Sequence, residues 1–323
     1  MASRGLLQEL RAKKWLSSMR LRASLLLLSA MFCICGLISR DAAATALVDP
    51  QMQAKKPKPY RNPTRGAEVI YQIRDMHRVR VRRNVAYTMA GGAALRMDVY
   101  RPRTGAGPFP TVLLGGPPDF NAGKNSGQKV GWAQLIAASG MAAVAFDIRS
   151  DNFQDTPAEP SADVAAAITY VRSHAAELGF DGERLCALGF SIGTAPWHLW
   201  ATMREPQPYV RCNVVYYGPL DFEGKDWSIK KENVAEFSAL TYLRAHQRSI
   251  PPMLIVKAGR DRFRAINASI DRFIAEAKGL NAPVQLLVHR TGPHGFDTST
   301  RGARTIAIMK ATLAFFRRHL LVT

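Results

Sequence analysis

Between residues 111 and 288 the chain repeats one pattern, in which a short apolar run is followed by a longer stretch with apolar residues every three or four positions. The runs do not alternate with polar residues, which predicts β-strands buried on both faces. The longer stretches predict amphipathic helices, the clearest over 163–178, with Gly179 as its stop. The predicted strands lie at 111–114, 142–146, 185–188, 214–217, 253–256 and 284–288, and two further helices at 266–277 and 305–320.

Residues 79–100 follow a different pattern, because apolar and polar residues alternate on both sides of a turn at 90–92. This alternation predicts an antiparallel hairpin. Arg78, Arg80 and Arg82 would give its first strand one charged face, which is typical of a sheet edge. Strands that alternate with helices after such a hairpin predict an α/β fold with a mostly parallel, doubly wound sheet and right-handed crossovers.

The chain begins with a segment typical of protein export. Seven basic residues precede Ala46, the stretch 23–39 is apolar and uncharged, and small residues at 44–46 suit cleavage. We therefore expect residues 1–46 to be a signal peptide that directs the protein to the periplasm or the medium. A membrane anchor is the alternative, although the apolar run is shorter than the roughly 20 residues of a spanning helix. Residues 47–66 predict a basic Pro/Lys-rich linker, and residues 67–323 one folded domain.

The formal net charge of +19 is concentrated near the N-terminus, where ten further basic residues lie between Lys55 and Arg83. No basic helix with interleaved aromatic residues and no zinc or RNA-binding signature is present, so we expect no nucleic-acid partner. A weak association of this basic segment with an anionic membrane or cell-wall surface stays open, as a tether.

Cys186 and Cys212 each lie near the start of an apolar run, and these runs should become neighbouring strands. A disulfide is chemically permitted outside the cytoplasm. We nevertheless expect two buried thiols, because adjacent parallel strands hold cross-links poorly and cysteine packs well as a small apolar residue.

The sequence Gly-Phe-Ser-Ile-Gly at 189–193 lies between a predicted strand and a predicted helix. A serine on such a tight turn is exposed above the sheet, and the glycines let the chain pass. Ser191 is therefore the candidate nucleophile. The alternative interpretation is an ordinary turn in which the serine caps the helix.

Other strand ends carry residues that could act with Ser191, since ligands of open α/β sheets bind at the carboxyl ends of the strands. Asp261 follows the run at 253–256, and His294 follows the run at 284–288. Their order in the chain, Ser then Asp then His, is that of α/β hydrolases. Asp221 is the reserve candidate for the acid.

The run at 111–114 opens into Gly115 and Gly116, whose amides could approach an oxyanion together with the amide of Ile192. Pro117 has no N–H, so the donor of this loop would be Gly116 or Gly115.

From about residue 85 to residue 320 the chain resembles the α/β-hydrolase serine esterases, in particular the dienelactone-hydrolase-like and acetyl-xylan or feruloyl esterase-like branch. The resemblance implies an α/β-hydrolase fold and a carboxylesterase that works through an acyl-enzyme. The short segment 222–249 suggests an accessible pocket for short acyl groups of a small ester substrate, and no metal-ligand spacing appears, so we expect no metal or cofactor. The chain departs from the family at Leu114, where many esterases carry a histidine, and at Ser191, where dienelactone hydrolases carry a cysteine. The residues that carry the likeness are 95–102, Gly115 and Gly116, 189–193, 259–261 and 294–296.

Two other functions stay open. A serine peptidase would use the same residues, and a catalytically silent module of this fold could bind anionic cell-surface material. The short segment 222–249, where hydrolases insert caps, contains aromatic and aliphatic residues that either line a pocket or pack the segment onto the body of the fold. These residues are Trp227, Phe237, Tyr242 and Leu243.

Overall fold

The computed structural model describes residues 66–118, 123–149, 156–224, 227 and 229–321. The predicted signal peptide and all of the predicted linker except residue 66 lie outside the described residues. In the described part, eight strands form one sheet in the order β1-β2-β4-β3-β5-β6-β7-β8. Strands β3 to β8 run parallel, while β2 pairs antiparallel with β1 and with β4. The predicted architecture of a parallel sheet preceded by an antiparallel hairpin is confirmed.

All six predicted parallel strands are present, most of them longer than the apolar run that predicts them. The strands are β1 Arg80–Ala90, β2 Ala93–Arg101, β3 Phe109–Gly116, β4 Ala142–Asp147, β5 Phe180–Phe190, β6 Val210–Tyr216, β7 Met253–Ala258 and β8 Val284–His289.

The helices lie in the connections between the parallel strands, except for the last two, which follow β8. They are α1 Gly127–Ala138, α2 Ala158–Ser173, α3 Ala175–Leu178, α4 Ser191–Met203, α5 Lys231–Phe237, α6 Ala239–His246, α7 Arg264–Gly279, α8 Phe296–Ser299 and α9 Ala303–Leu320. Three short 3₁₀ turns lie at Met76–Arg78, Gly123–Asn125 and Gln247–Ser249. Among the helices of the described ranges, none is both long and apolar enough to cross a bilayer.

The apolar core lies in two layers, one on each face of the sheet. Successive residues of β3 point to opposite layers, so that Leu113 packs with residues of α2, α4 and α7 while Leu114 packs with residues of α1 and α9. Because every central strand is covered on both faces, its sequence carries no polar alternation.

The last strand, β8, departs from the prediction. Its apolar run at 284–288 predicted burial on both faces, yet Gln285 is exposed and Leu286 is 37% exposed. The reason is position, because β8 pairs only with β7 and forms one edge of the sheet. The opposite edge is β1, which carries the row of exposed arginines as predicted.

Cys186 and Cys212 form a disulfide, which corrects the expectation of two free thiols. The two residues are direct partners on β5 and β6, with 4.7 Å between their Cα atoms. This separation lies within the range that disulfides span. The ladder is irregular at this point, because Arg211 is an extra residue on β6, and a disrupted parallel ladder removes the objection that regular strands hold cross-links poorly.

Candidate active site

Ser191 lies on the sharp turn between β5 and α4 and has a φ of 53°, in the left-handed region. Few residues other than glycine adopt this conformation, and it persists where the surrounding packing enforces it. Two glycines let the turn pack closely against α4. A Cβ at Gly189 would lie 2.6 Å from the Cα of Ala195, and one at Gly218 would lie 2.4 Å from the Cβ of Ala195.

The three predicted site residues lie together at the carboxyl edge of the sheet. Nε2 of His294 is 2.9 Å from Oγ of Ser191, and Nδ1 of His294 is 2.7 Å from Oδ2 of Asp261. The Asp261 side chain is fully buried, and its other oxygen accepts a hydrogen bond from the backbone N–H of Phe263. The arrangement leaves His294 able to exchange a proton with Ser191 while its other ring nitrogen is held by a carboxylate.

The reserve acid, Asp221, lies outside this hydrogen-bond chain. Its buried carboxylate binds the guanidinium of Arg272 through two hydrogen bonds of 2.5 and 3.2 Å. A carboxylate fixed in this way is not free to orient His294, so the structure separates the two candidates.

Aromatic rings hold the imidazole of His294 from two directions. The ring of Tyr217 lies 4.6 Å away between centroids, and Phe263 contacts it edge-on at 5.0 Å. The Tyr217 hydroxyl donates a 2.5 Å hydrogen bond to Asp297, and burial, followed by the Asp297 charge, raises the Tyr217 pKa well above its ordinary value. The tyrosine therefore remains a neutral donor.

Asp297 was not among the residues predicted from the sequence. Its fully buried carboxylate also accepts hydrogen bonds from Gln128 and from the indole of Trp132, each 2.9 Å long. The available sequence signal was its position three residues after His294, on the short helix α8.

The glycine loop after β3 offers fewer free amides than the sequence suggested. The N–H of Gly115 donates to Nε2 of His198 at 3.1 Å, so the alternative of Gly115 as oxyanion donor is not supported. Nδ1 of His198 in turn donates to the carbonyl of Thr194, and burial lowers the His198 pKa to about 4, which keeps the ring neutral. Gly116 is the last residue of β3 and pairs with Asp147.

The other predicted donor, Ile192, is the second residue of α4. Amides in the first turn of a helix have no intrahelical acceptor and point outward from the helix end. The Ile192 N–H is therefore available at the nucleophile turn.

The aromatic residues of the predicted cap segment are part of the core. Phe237 stacks on Trp200 and contacts Trp197 edge-on, both on α4, and Trp227 contacts Phe222. Tyr242 and Leu243 are buried in the same layer. Of the two interpretations, packing of the segment onto the body agrees with the structure.

Comparisons with known proteins bear on the fold of the chain. The BD-FAE family model matches residues 97–222, a range that includes Ser191. The chain is similar to Thermogutta terrifontis esterase 2 phosphonylated by sarin, with a TM-score of 0.60 and 20% identity over 83% of this chain and 100% of that one. The chain has the α/β-hydrolase fold. The chain is also similar to a putative dienelactone hydrolase from Klebsiella pneumoniae, with a TM-score of 0.57 and 19% identity over 74% of this chain and 99% of that one.

The same Thermogutta esterase with bound butyrate matches this chain with a TM-score of 0.56 and 20% identity, over 76% of this chain and 95% of that one. No curated protein sequence matches the chain. The fold that the motif resemblance implies is confirmed. In the described ranges, no group of three or more His, Cys, Asp or Glu side chains is arranged to hold a metal ion.

Proposed function

We propose that this α/β-hydrolase is a carboxylesterase that uses Ser191 as nucleophile, His294 as general base and Asp261 as the group that orients the imidazole. The observation that carries the proposal is the unbroken chain of hydrogen bonds from Asp261 through His294 to Ser191. A serine held at positive φ at the head of that chain is what an exposed nucleophile requires.

In the proposed reaction, Nε2 of His294 accepts the Ser191 proton as Oγ attacks the ester carbonyl. The tetrahedral oxyanion is stabilised by the Ile192 amide and the Gly116 amide. Collapse of this intermediate breaks the bond to the alcohol, which takes the proton from His294, and leaves an acyl-serine. Water attacks the acyl-serine by the same route in reverse and releases the acid.

We further propose short acyl groups as substrates. Thermogutta terrifontis esterase 2 is known with butyrate and with propionate bound, and as adducts of paraoxon and sarin. Its fold similarity to this chain, together with the short segment between β6 and β7, supports a site open to small acyl esters.

Export from the cytoplasm is also part of the proposal. The leader at 1–46 has the charge and apolar pattern of a signal peptide. The Cys186–Cys212 disulfide supports the same location, because disulfides persist in oxidising compartments.

The test combines a fluorophosphonate probe with p-nitrophenyl esters of increasing acyl length, applied to the wild type and to Ser191→Ala. We expect the wild type to be labelled and to hydrolyse acetate and butyrate esters fastest, and the variant to do neither. A peptide p-nitroanilide measures the competing peptidase activity. Cleavage of the anilide in preference to the esters would favour a peptidase, and a wild type that neither labels nor hydrolyses would favour a silent binding module.

A further inference from the structure

Lys129 is a buried lysine that the proposed reaction does not yet use. It lies in the first turn of α1 with only 4% of its surface exposed. Its side chain extends along Gly116, because a Cβ at that glycine would lie 2.2 Å from Cε and 2.7 Å from Nζ of Lys129. The missing side chain at Gly116 is therefore what makes room for the ammonium group at the end of β3.

The ammonium group of Lys129 lies near two acids of the described chain. Burial lowers the pKa of Lys129 to about 8, and the charges of Asp147 and Asp297 offset part of that decrease. Within the ranges that the structure describes, however, Nζ forms neither a hydrogen bond nor an ion pair with these acids. An ammonium group without a hydrogen-bond acceptor among the described residues can donate to a bound ligand.

The backbone at the same place is short of donors. The Gly115 amide is used by His198, and Pro117 and Pro118 have no N–H, so Gly116 is the one proposed backbone donor of this loop. A developing oxyanion next to Gly116 would therefore have few amides from this loop and one buried cation beside it.

We propose that the ammonium of Lys129 is the charged donor of the oxyanion pocket, acting beside Gly116 and together with the Ile192 amide. This inference rests on the proposed esterase function. The ester carbonyl is neutral in the bound substrate and carries a negative charge in the tetrahedral intermediate. A fixed cation therefore stabilises the transition state more than the ground state, and its loss lowers kcat rather than binding.

The test replaces Lys129 by Met, which keeps the length of the side chain and removes its charge. Lys310→Met is the matched control, since Lys310 lies on α9 against Tyr71. We expect kcat to fall roughly 100-fold in Lys129→Met, as for the loss of one oxyanion donor, with KM changed by no more than about twofold. The control should match the wild type.

A pH profile of kcat/KM separates this role from a structural one. Three titratable groups interact electrostatically with Lys129: Asp147, Asp297 and His198. Burial raises the pKa of Asp147 itself to about 6, and Lys124 in turn faces Asp147. Lys129 is charged below its pKa, so wild-type kcat/KM should decrease as the pH rises through about 8. Lys129→Met should lack this decrease. In Lys129→Ala, added propylammonium should restore part of the rate and part of the pH dependence.

The outcomes are distinct. A Lys129→Met enzyme that retains the wild-type kcat and the same basic limb overturns the inference while leaving the esterase proposal intact. If the variants do not fold, a wild-type profile that stays flat through this pH range overturns it equally. A wild type that neither labels with fluorophosphonate nor hydrolyses esters instead contradicts the proposed function.

Discussion

Asp261 and Asp221 are two buried carboxylates near neighbouring strand ends, and their partners give them different roles. Asp261 accepts from His294, whereas Asp221 is held by the guanidinium of Arg272. The sequence alone left both acids open, because neither residue type nor strand position identifies the partner. The partner is set by the helix that follows β7, which carries Arg272 towards Asp221.

Substitution of Asp261 should therefore lower kcat, whereas substitution of Asp221 should lower the free energy of unfolding. Asp261→Asn keeps the size of the side chain but no longer selects the imidazole tautomer that receives the serine proton, so we expect kcat to fall by about 10⁴-fold. Asp221→Asn leaves Arg272 without its charged partner, and because the Arg272 side chain is 40% exposed we expect the free energy of unfolding to fall by about 1.5 kcal/mol. Ester hydrolysis and urea titration measure the two effects. Equal losses of kcat would show that Asp221 also serves the site.

At the scale of elements, the close packing of β5 against α4 fixes the direction of Ser191. Gly189 makes this approach possible, because a side chain there would press on backbone rather than on a flexible group. The turn is consequently rigid, and its geometry depends on a residue that carries no chemistry.

Gly189→Ala should reduce kcat by about 100-fold, since the new Cβ displaces α4 and a shift of about 1 Å in a reacting group has that effect. Gly279→Ala is the matched control, because nothing lies within 4 Å of a Cβ at this last residue of α7. The control should keep its kcat and gain up to about 1 kcal/mol in stability from the helix propensity of alanine. Activity and thermal melting of both variants, compared with the wild type, provide the measurement, and an active Gly189→Ala enzyme would contradict the packing argument.

The elements that sequence reasoning located well are those with a local signal. Buried parallel strands appear as short apolar runs, and the rule that sites form at strand ends selected Ser191, Asp261 and His294, which the fold brings into contact. The exposure of β8 escaped prediction because an edge strand and a central strand can share one apolar pattern.

Contacts between distant parts of the chain carried no local signal at all. The carboxylate of Asp297 meets Gln128 and Trp132 of α1, more than a hundred residues earlier. The placement of Lys129 beside Gly116 likewise depends on how α1 packs on β3. A single sequence does not show which distant residues form such pairs.

At the scale of the whole molecule, the Cys186–Cys212 disulfide joins the neighbouring strands β5 and β6. It closes a loop with a sequence separation of 26 residues, which contains the nucleophile turn and α4. Cross-links act mainly by restricting the unfolded chain. Loss of the disulfide should therefore change the free energy of global unfolding more than the geometry around Ser191.

Replacing both cysteines by alanine should lower the free energy of unfolding by about 3.5 kcal/mol, the value that chain entropy gives for a loop of this size. Urea titration of the double variant, compared with the wild type with and without reductant, measures it. The double variant should not respond to reductant. If kcat of the double variant also falls under conditions where the protein is folded, the cross-link affects the geometry of the active site as well.

The left-handed backbone of Ser191 implies a conflict between activity and stability at one residue. Ala and Gly at this position both remove the hydroxyl and its bond to His294, but only Gly adopts positive φ without strain. We expect the free energy of unfolding of Ser191→Gly to exceed that of Ser191→Ala by about 1 kcal/mol. Calorimetry or urea titration measures this difference. Equal stabilities would show an unstrained turn. With the expected difference, position 191 holds a side chain that the fold itself disfavours.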